Sequence, residues 1–262
     1  MAESACQRHP AIQIQNISYS INQRSILRNV SLEVQSGETL AVMGMSGSGK
    51  TTLIKCLAGL LRPQSGTIEI EGANIVSLSE SQIEKIRLKM GFVFQYAALF
   101  DSLTVFENVS FGLRRHRHLK SAELNAIVNE KLALVGLADS ARLYPAQLSG
   151  GMQKRVGIAR ALAMEPSILL FDEPTSGLDP IIGASIDNLI LSLQSRLGIT
   201  AVVVSHDVAS VFRIADHVAL LHDGSVACYG TPDEIANCSV EMVQKFIGNF
   251  HPTPRGDRIP VN

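Results

Sequence analysis

Gly44-Met45-Ser46-Gly47-Ser48-Gly49-Lys50-Thr51 is the stretch that decides the fold. It fits a G-x-x-x-x-G-K-[ST] phosphate-binding loop with no position missing. The run Thr39–Met43 before it is short and apolar, as a parallel strand buried on both faces should be. The run Thr52–Ala58 after it has helical spacing. A loop between a buried strand and a helix N-terminus predicts an α/β fold. Glycines let backbone amides approach phosphate oxygens, and the helix end adds partial positive charge. Gly44, Met45, Ser46, Gly47, Ser48 and Gly49 are the expected cradle, with Thr52 opening the helix behind it. Lys50 is expected to reach the β- and γ-phosphates of ATP, and the Thr51 hydroxyl to ligate the Mg²⁺ that bridges them.

A second stretch, Ile168-Leu169-Leu170-Phe171-Asp172-Glu173, reads as a buried strand ending in two carboxylates. The C-terminal edge of a parallel sheet is where such folds bind ligands. Asp172 is expected to hold Mg²⁺, directly or through water. Glu173 is placed to orient the attacking water or take its proton.

Between them lies Leu148-Ser149-Gly150-Gly151-Met152-Gln153, which resembles the signature of ABC-type ATPases, with Met152 where glutamine is commoner. Further landmarks follow the order of that family. Gln95, after Gly91–Phe94, matches the Q-loop; Ser176-Gly177-Leu178-Asp179 matches the D-loop; His206, after Thr200–Val204, matches the switch histidine. The resemblance implies a P-loop NTPase: a RecA-like core with a small antiparallel β subdomain and a helical signature subdomain. It implies that Gln95 contacts Mg²⁺ and water, that His206 contacts the γ-phosphate, and that Tyr19 stacks on adenine. Alone, Tyr19 reads equally as a packed strand aromatic. Ser149 would cap a helix whose N-terminus carries Gly150 and Gly151, a second anion-binding helix end. The resemblance implies that this end serves the ATP of a second copy of the chain, with Asp179 at the same composite site.

Composition sets bounds. Formal net charge is -1, so nothing points to a nucleic acid or another polyanion. No 18-residue uncharged apolar run appears, so no membrane span is expected. Met1–Pro10 lacks the apolar core of a signal peptide. Cys6, Cys56, Cys228 and Cys238 are scattered without C-x-x-C pairing, which reads as reduced thiols with no disulfide frame or zinc site.

Ile12–Gln15, Ser31–Val34 and Thr67–Glu71 alternate like half-exposed strands. Leu124, Ile127, Val128, Leu132 and Val135 recur at helical spacing up to Gly136; Ile182, Ile186, Leu189, Leu193 and Leu197 do so up to Gly198. Asp223-Gly224 predicts a hairpin turn, and Thr231-Pro232-Asp233-Glu234 a helix start. The expected division is an ATPase domain over 11–248, with a helical subdomain at 96–163, and a C-terminal tail at 249–262. The tail holds three prolines and no apolar period, and is expected to be disordered alone or ordered only by a partner.

The family includes transporter subunits, DNA-repair proteins and ribosome-associated factors. No coiled-coil insertion and no second cassette is visible, which leaves a transporter subunit working with a multi-span permease. Tyr96–Val109, with Leu99 and Phe100 as expected exposed anchors, is the candidate permease-docking segment. The wording there, with His206-Asp207-Val208, is similar to the ATPases of Mla/Mce-type phospholipid transporters. That resemblance implies a Mce-domain membrane-anchored partner and a place on the cytoplasmic face of the inner membrane. ATPases of lipoprotein export or polar amino-acid import, and a soluble regulator of cell division, are the alternatives. The basic run Arg114–Lys120 reads as a solvated face, or as a contact for anionic head groups.

Overall fold

The computed structural model describes residues 10–248. Two sheets build the scaffold. The larger is assembled around β3 (Thr39–Met43), whose parallel neighbours are β8 (Thr200–Ser205) and β9 (His217–His222). Beyond β8 come β7 (Ile168–Asp172) and β6 (Met90–Val93), also parallel. The edge beside β9 is β10 (Ser225–Gly230), which runs antiparallel. β9 and β10 are joined by Asp223 and Gly224, both at positive φ (44° and 79°), the geometry that a two-residue hairpin turn requires.

The central strands carry side chains to opposite faces with a period of two. Leu40, Val42, Leu170, Val202 and Val204 join one buried cluster, while Leu169, Phe171, Ala201 and Val203 join a second. The first cluster is shared with α1 (Lys50–Leu57) and with the smaller antiparallel sheet. That sheet has the order β2-β1-β4-β5, from β1 (Ile12–Ile21), β2 (Arg24–Val34), β4 (Ser65–Ile70) and β5 (Ala73–Asn74). A hydrogen bond from Arg28 N–H to the Gly224 carbonyl (2.7 Å) ties it to the β9–β10 turn. α2 (Glu80–Arg87) leads from it back to β6.

The second cluster is capped by α3 (Val105–His116), α4 (Ser121–Leu134), α5 (Gly150–Leu162) and α6 (Pro180–Leu197). Local signals set the limits of these helices. Thr104 and Glu107 form a capping box at α3, and Gly136 (φ 73°) follows α4. α6 opens on an Asp179 cap with Pro180 in its first turn and closes on Gly198 in the left-handed conformation. The third cluster packs α7 (Val208–Ile214), α8 (Pro232–Ala236) and α9 (Glu241–Ile247) against β3 and β9. Among the described residues no helix is long and apolar enough to cross a membrane. The expectations for Met1–His9, Cys6 included, and for the tail at 249–262 lie outside the described residues.

One expectation is corrected. Leu99 is half-buried against the helical cluster; the most exposed ring of the docking segment is Tyr96 (84 % exposed), with Phe100 at 43 %. The cysteines are not all scattered in space. Cys228 of β10 and Cys238 after α8 lie 3.1 Å apart, Sγ to Sγ, because the α8 turn folds the chain back over β10. Cys56 is fully buried in α1, and burial pushes its thiol up to about 12.

Candidate active site

The loop between β3 and α1 needs its glycines. Gly44 has φ 153°, and a Cβ there would lie 2.2 Å from the Leu221 carbonyl oxygen of β9. Gly49 has φ 108° and would meet the Ile26 carbonyl at 2.9 Å. With α1 starting at Lys50, its first backbone amides have no intrahelical acceptor and open into a cleft of about 610 Å³. Ser46, Gly47, Gly49, Lys50, Thr51 and Thr52 line that cleft from one side.

Gln95, Glu173 and His206 complete it from the strand ends. The Lys50 ammonium donates to the carbonyls of Gly44 (2.8 Å) and Met45 (3.1 Å). Burial lowers its pKa, opposed by the negative charges of Glu173 and Asp172. The Thr51 hydroxyl donates to Asp172 Oδ1 at 3.4 Å. Burial and the neighbouring Glu173 push the Asp172 carboxyl above the usual range, while Thr51, Lys55 and Lys50 pull it back.

Glu173 sits at φ 51°, a conformation that costs a non-glycine residue about 1–3 kcal/mol. Its N–H donates to the Val204 carbonyl (2.9 Å), so β8 holds the strained turn in place. Its carboxylate lies 2.7 Å from His206 Nδ1. Gln95 Nε2 donates to the Ser176 hydroxyl at 3.3 Å, bridging the end of β6 to the turn after Glu173.

Two features of the cleft test its fit to a Mg-nucleotide. The Ser48 Oγ is buried with no hydrogen-bond partner, an orphan donor in the loop. An oxygen pair, Thr51 and Asp172, stands beside the Lys50 ammonium, the oxygen chemistry that Mg²⁺ prefers. Among the described residues no cluster of three or more His, Cys, Asp or Glu side chains offers another metal site. The residues fit a phosphate chain with its cation.

The structure separates the remaining predicted residues from this cleft. Ser149 caps α5 by accepting from Met152 N–H (3.3 Å), and Ser149 and Gly150 are exposed. Asp179 Oδ1 accepts from the N–H groups of Ile181 and Ile182. The two helix starts touch: a Cβ on Gly151 would fall 2.5 Å from Ile182 Cγ2. None of Ser149, Gly150, Gly151 or Asp179 lines the cleft of its own chain. Tyr19 is half-buried against the first cluster and pairs with Leu27 across β1 and β2. The side chains from that sheet that line the cleft are Arg24 and Ile26, which carry no motif.

Comparison with known proteins places this geometry. Residues 27–176 match the family model described as ABC transporter. The intermembrane phospholipid transport system ATP-binding protein MlaF of Escherichia coli is 40 % identical over 250 residues, 95 % of this chain and 93 % of that one. The dimeric ATP-binding cassette MJ0796, bound to ADP and Pi, superposes with a TM-score of 0.77 at 35 % identity, over 84 % of this chain and 98 % of that one. The cassette cbiO1 of Clostridium perfringens, part of an ABC transporter complex, gives 0.82 at 32 % identity, over 91 % and 94 %. A phosphate loop, two strand-end carboxylates and a displaced signature helix, in a chain with these relatives, lead to one conclusion: it belongs to the ABC transporter family, as an ATP-hydrolysing cassette.

Proposed function

We propose that this chain drives phospholipid transport in a bacterial envelope, as the ATPase of a Mla/Mce-type system. The observation that carries the reading is the similarity to MlaF along 95 % of the chain. The working unit is an ABC ATPase domain over 11–248, with the helical subdomain at 96–163 inserted and the segment 249–262 as a tail.

In this reading the phosphate loop and Lys50 bind the β- and γ-phosphates. Thr51, Asp172 and Gln95 would hold Mg²⁺, which neutralises charge on those phosphates when bound. Glu173 accepts the proton of the water that attacks the γ-phosphorus as the bond to the ADP oxygen breaks. His206 orients that carboxylate and faces the transferred group. Positioning and fixed charge, more than covalent help, lower the barrier of such a reaction. Ser149, Gly150, Gly151 and Asp179 act on the nucleotide of a second copy, which accounts for their place outside this chain's own cleft.

The further partners are a multi-span permease, docked on the segment around Tyr96 and Phe100, and a Mce-domain protein anchored in the membrane. The cassette would then lie on the cytoplasmic face of the inner membrane. The test is reconstitution with its permease in vesicles holding labelled phospholipid. ATP-dependent movement of the label, lost with Lys50→Ala, is expected. ATPase activity that responds to a lipoprotein or an amino acid and not to phospholipid would overturn the cargo assignment.

A further inference from the structure

Lys154 lies in the second turn of α5, five residues past Ser149, and is 6 % exposed. Its ammonium donates to the Gln95 carbonyl and to the Glu173 carbonyl (3.2 Å). One side chain of the signature helix therefore holds the backbone of two residues that line the cleft.

The contact is part of a stripe. Gly157, one turn on, packs against the same segment: a Cβ there would stand 3.4 Å from the Ala97 Cβ. Arg160, a further turn on, donates to the carbonyls of Ala97 (2.7 Å) and Ala98 (2.6 Å). Both alanines are at positive φ, 57° and 47°, which without restraint disfavours a residue with a side chain. Lys154, Gly157 and Arg160 recur every three residues and so share one helix face. That face grips the turn from Gln95 to Ala98, whose outer side exposes Tyr96.

A buried ammonium is unfavourable unless its protons are satisfied and its charge is used. Burial lowers the Lys154 pKa, and the carboxylates of Glu173 and Asp172 hold it up. The amine therefore supplies positive charge behind the two carboxylates as well as two hydrogen bonds.

We propose that Lys154 is a positioning residue for ATP hydrolysis, fixing Glu173 and Gln95 relative to the signature helix. It reaches no cleft-lining position itself, so it acts through those residues and not on ATP. The inference rests on Glu173 being the base.

The test is steady-state Mg-ATP turnover by the full chain within its transporter, for wild type, Lys154→Met, Lys154→Arg and Glu173→Gln. Lys154→Met keeps the length of the stem and removes charge and donors. Its kcat should fall about 10–100-fold, the range for groups that orient a reacting residue. Its KM for ATP and its binding of a fluorescent nucleotide should stay within about threefold of wild type, since no ATP contact is lost. Lys154→Arg, which restores charge and donors, should recover most of the lost kcat. A raised KM at unchanged kcat, or a loss that follows Tm and is not recovered by arginine, would overturn the proposal. If Lys154→Met fails to fold, an unimpaired kcat in Lys154→Gln, with donors but no charge, overturns the electrostatic part. Near-normal turnover of Glu173→Gln would instead remove the reading of the base on which the proposal stands.

Discussion

His206 Nδ1 lies 2.7 Å from Glu173 Oε2, joining the ends of two adjacent strands across the mouth of the nucleotide cleft. The carboxylate side chain is 12 % exposed and the imidazole 62 %, so the histidine is the group that faces outward. Glu173→Gln keeps this size and a hydrogen-bonding atom but cannot take a proton. It should lower turnover by about 10²–10⁴-fold while Mg-ATP remains bound. Equilibrium binding of a fluorescent nucleotide beside steady-state turnover checks both halves.

Asp172 gives a prediction with a definite sign. Its carboxyl is held above the usual range by burial and by Glu173. A carboxylate whose folded pKa is raised opposes folding at pH values above that pKa, and the penalty fades as pH falls through it. Asp172→Asn should therefore raise the Tm of the nucleotide-free chain at neutral pH, and the gain should shrink on acidification. The same change should lower Mg-dependent turnover by two orders of magnitude or more, roughly the loss of one fixed electrostatic group. Differential scanning calorimetry at two pH values, with an activity assay, decides it.

The smaller sheet contributes Arg24 and Ile26 to the wall of the cleft, while Tyr19 packs against the core. Stacking or cation–π contact on a base is worth about 1–3 kcal/mol and tolerates base identity. Arg24→Ala should raise the KM for ATP by about 5- to 100-fold, with kcat less affected and GTP still a substrate. Tyr19→Ala should change KM less than Arg24→Ala does. The opposite order in the two KM values would favour Tyr19 as the stacking residue.

The exposed ring of Tyr96 sits on the turn that α5 grips, and that of Phe100 lies two residues beyond the turn. Two chains in register lose translational and rotational freedom worth several kcal/mol, which a permease holding both would offset. The purified chain should hydrolyse ATP slowly and in a concentration-dependent way. Addition of permease in phospholipid should raise the rate. Tyr96→Asp and Phe100→Asp should remove that rise and leave nucleotide binding by the free chain unchanged. Fast, concentration-independent turnover by the chain alone contradicts both expectations.

Much of the scaffold was legible because its signals are local. The glycines of the phosphate loop, the apolar strands ending at Met43 and Asp172, and the Asp179–Pro180 start of α6 each need only neighbouring residues to be read. The juxtapositions were not legible. Arg24 and Ile26 reach the cleft because β2 lies beside α1, and nothing in the order of residues announces it. Leu99 and Phe100 are adjacent in an apolar run, yet one turns into the helical cluster and the other outward. Cys228 and Cys238 meet only because α8 reverses the chain. Lys154 reads as an ordinary helix cation until its two carbonyl partners, from separate strand ends, are seen.

Ser149 and Gly150 face solvent in a chain whose nucleotide cleft they do not line. If each chain lends its signature to another, a lone copy is an engine with half of its ignition. Surplus chains made ahead of their membrane partner would then draw only slowly on the cell's ATP. Hydrolysis becomes a readout of stoichiometry, and a transporter that loses one cassette falls silent instead of idling.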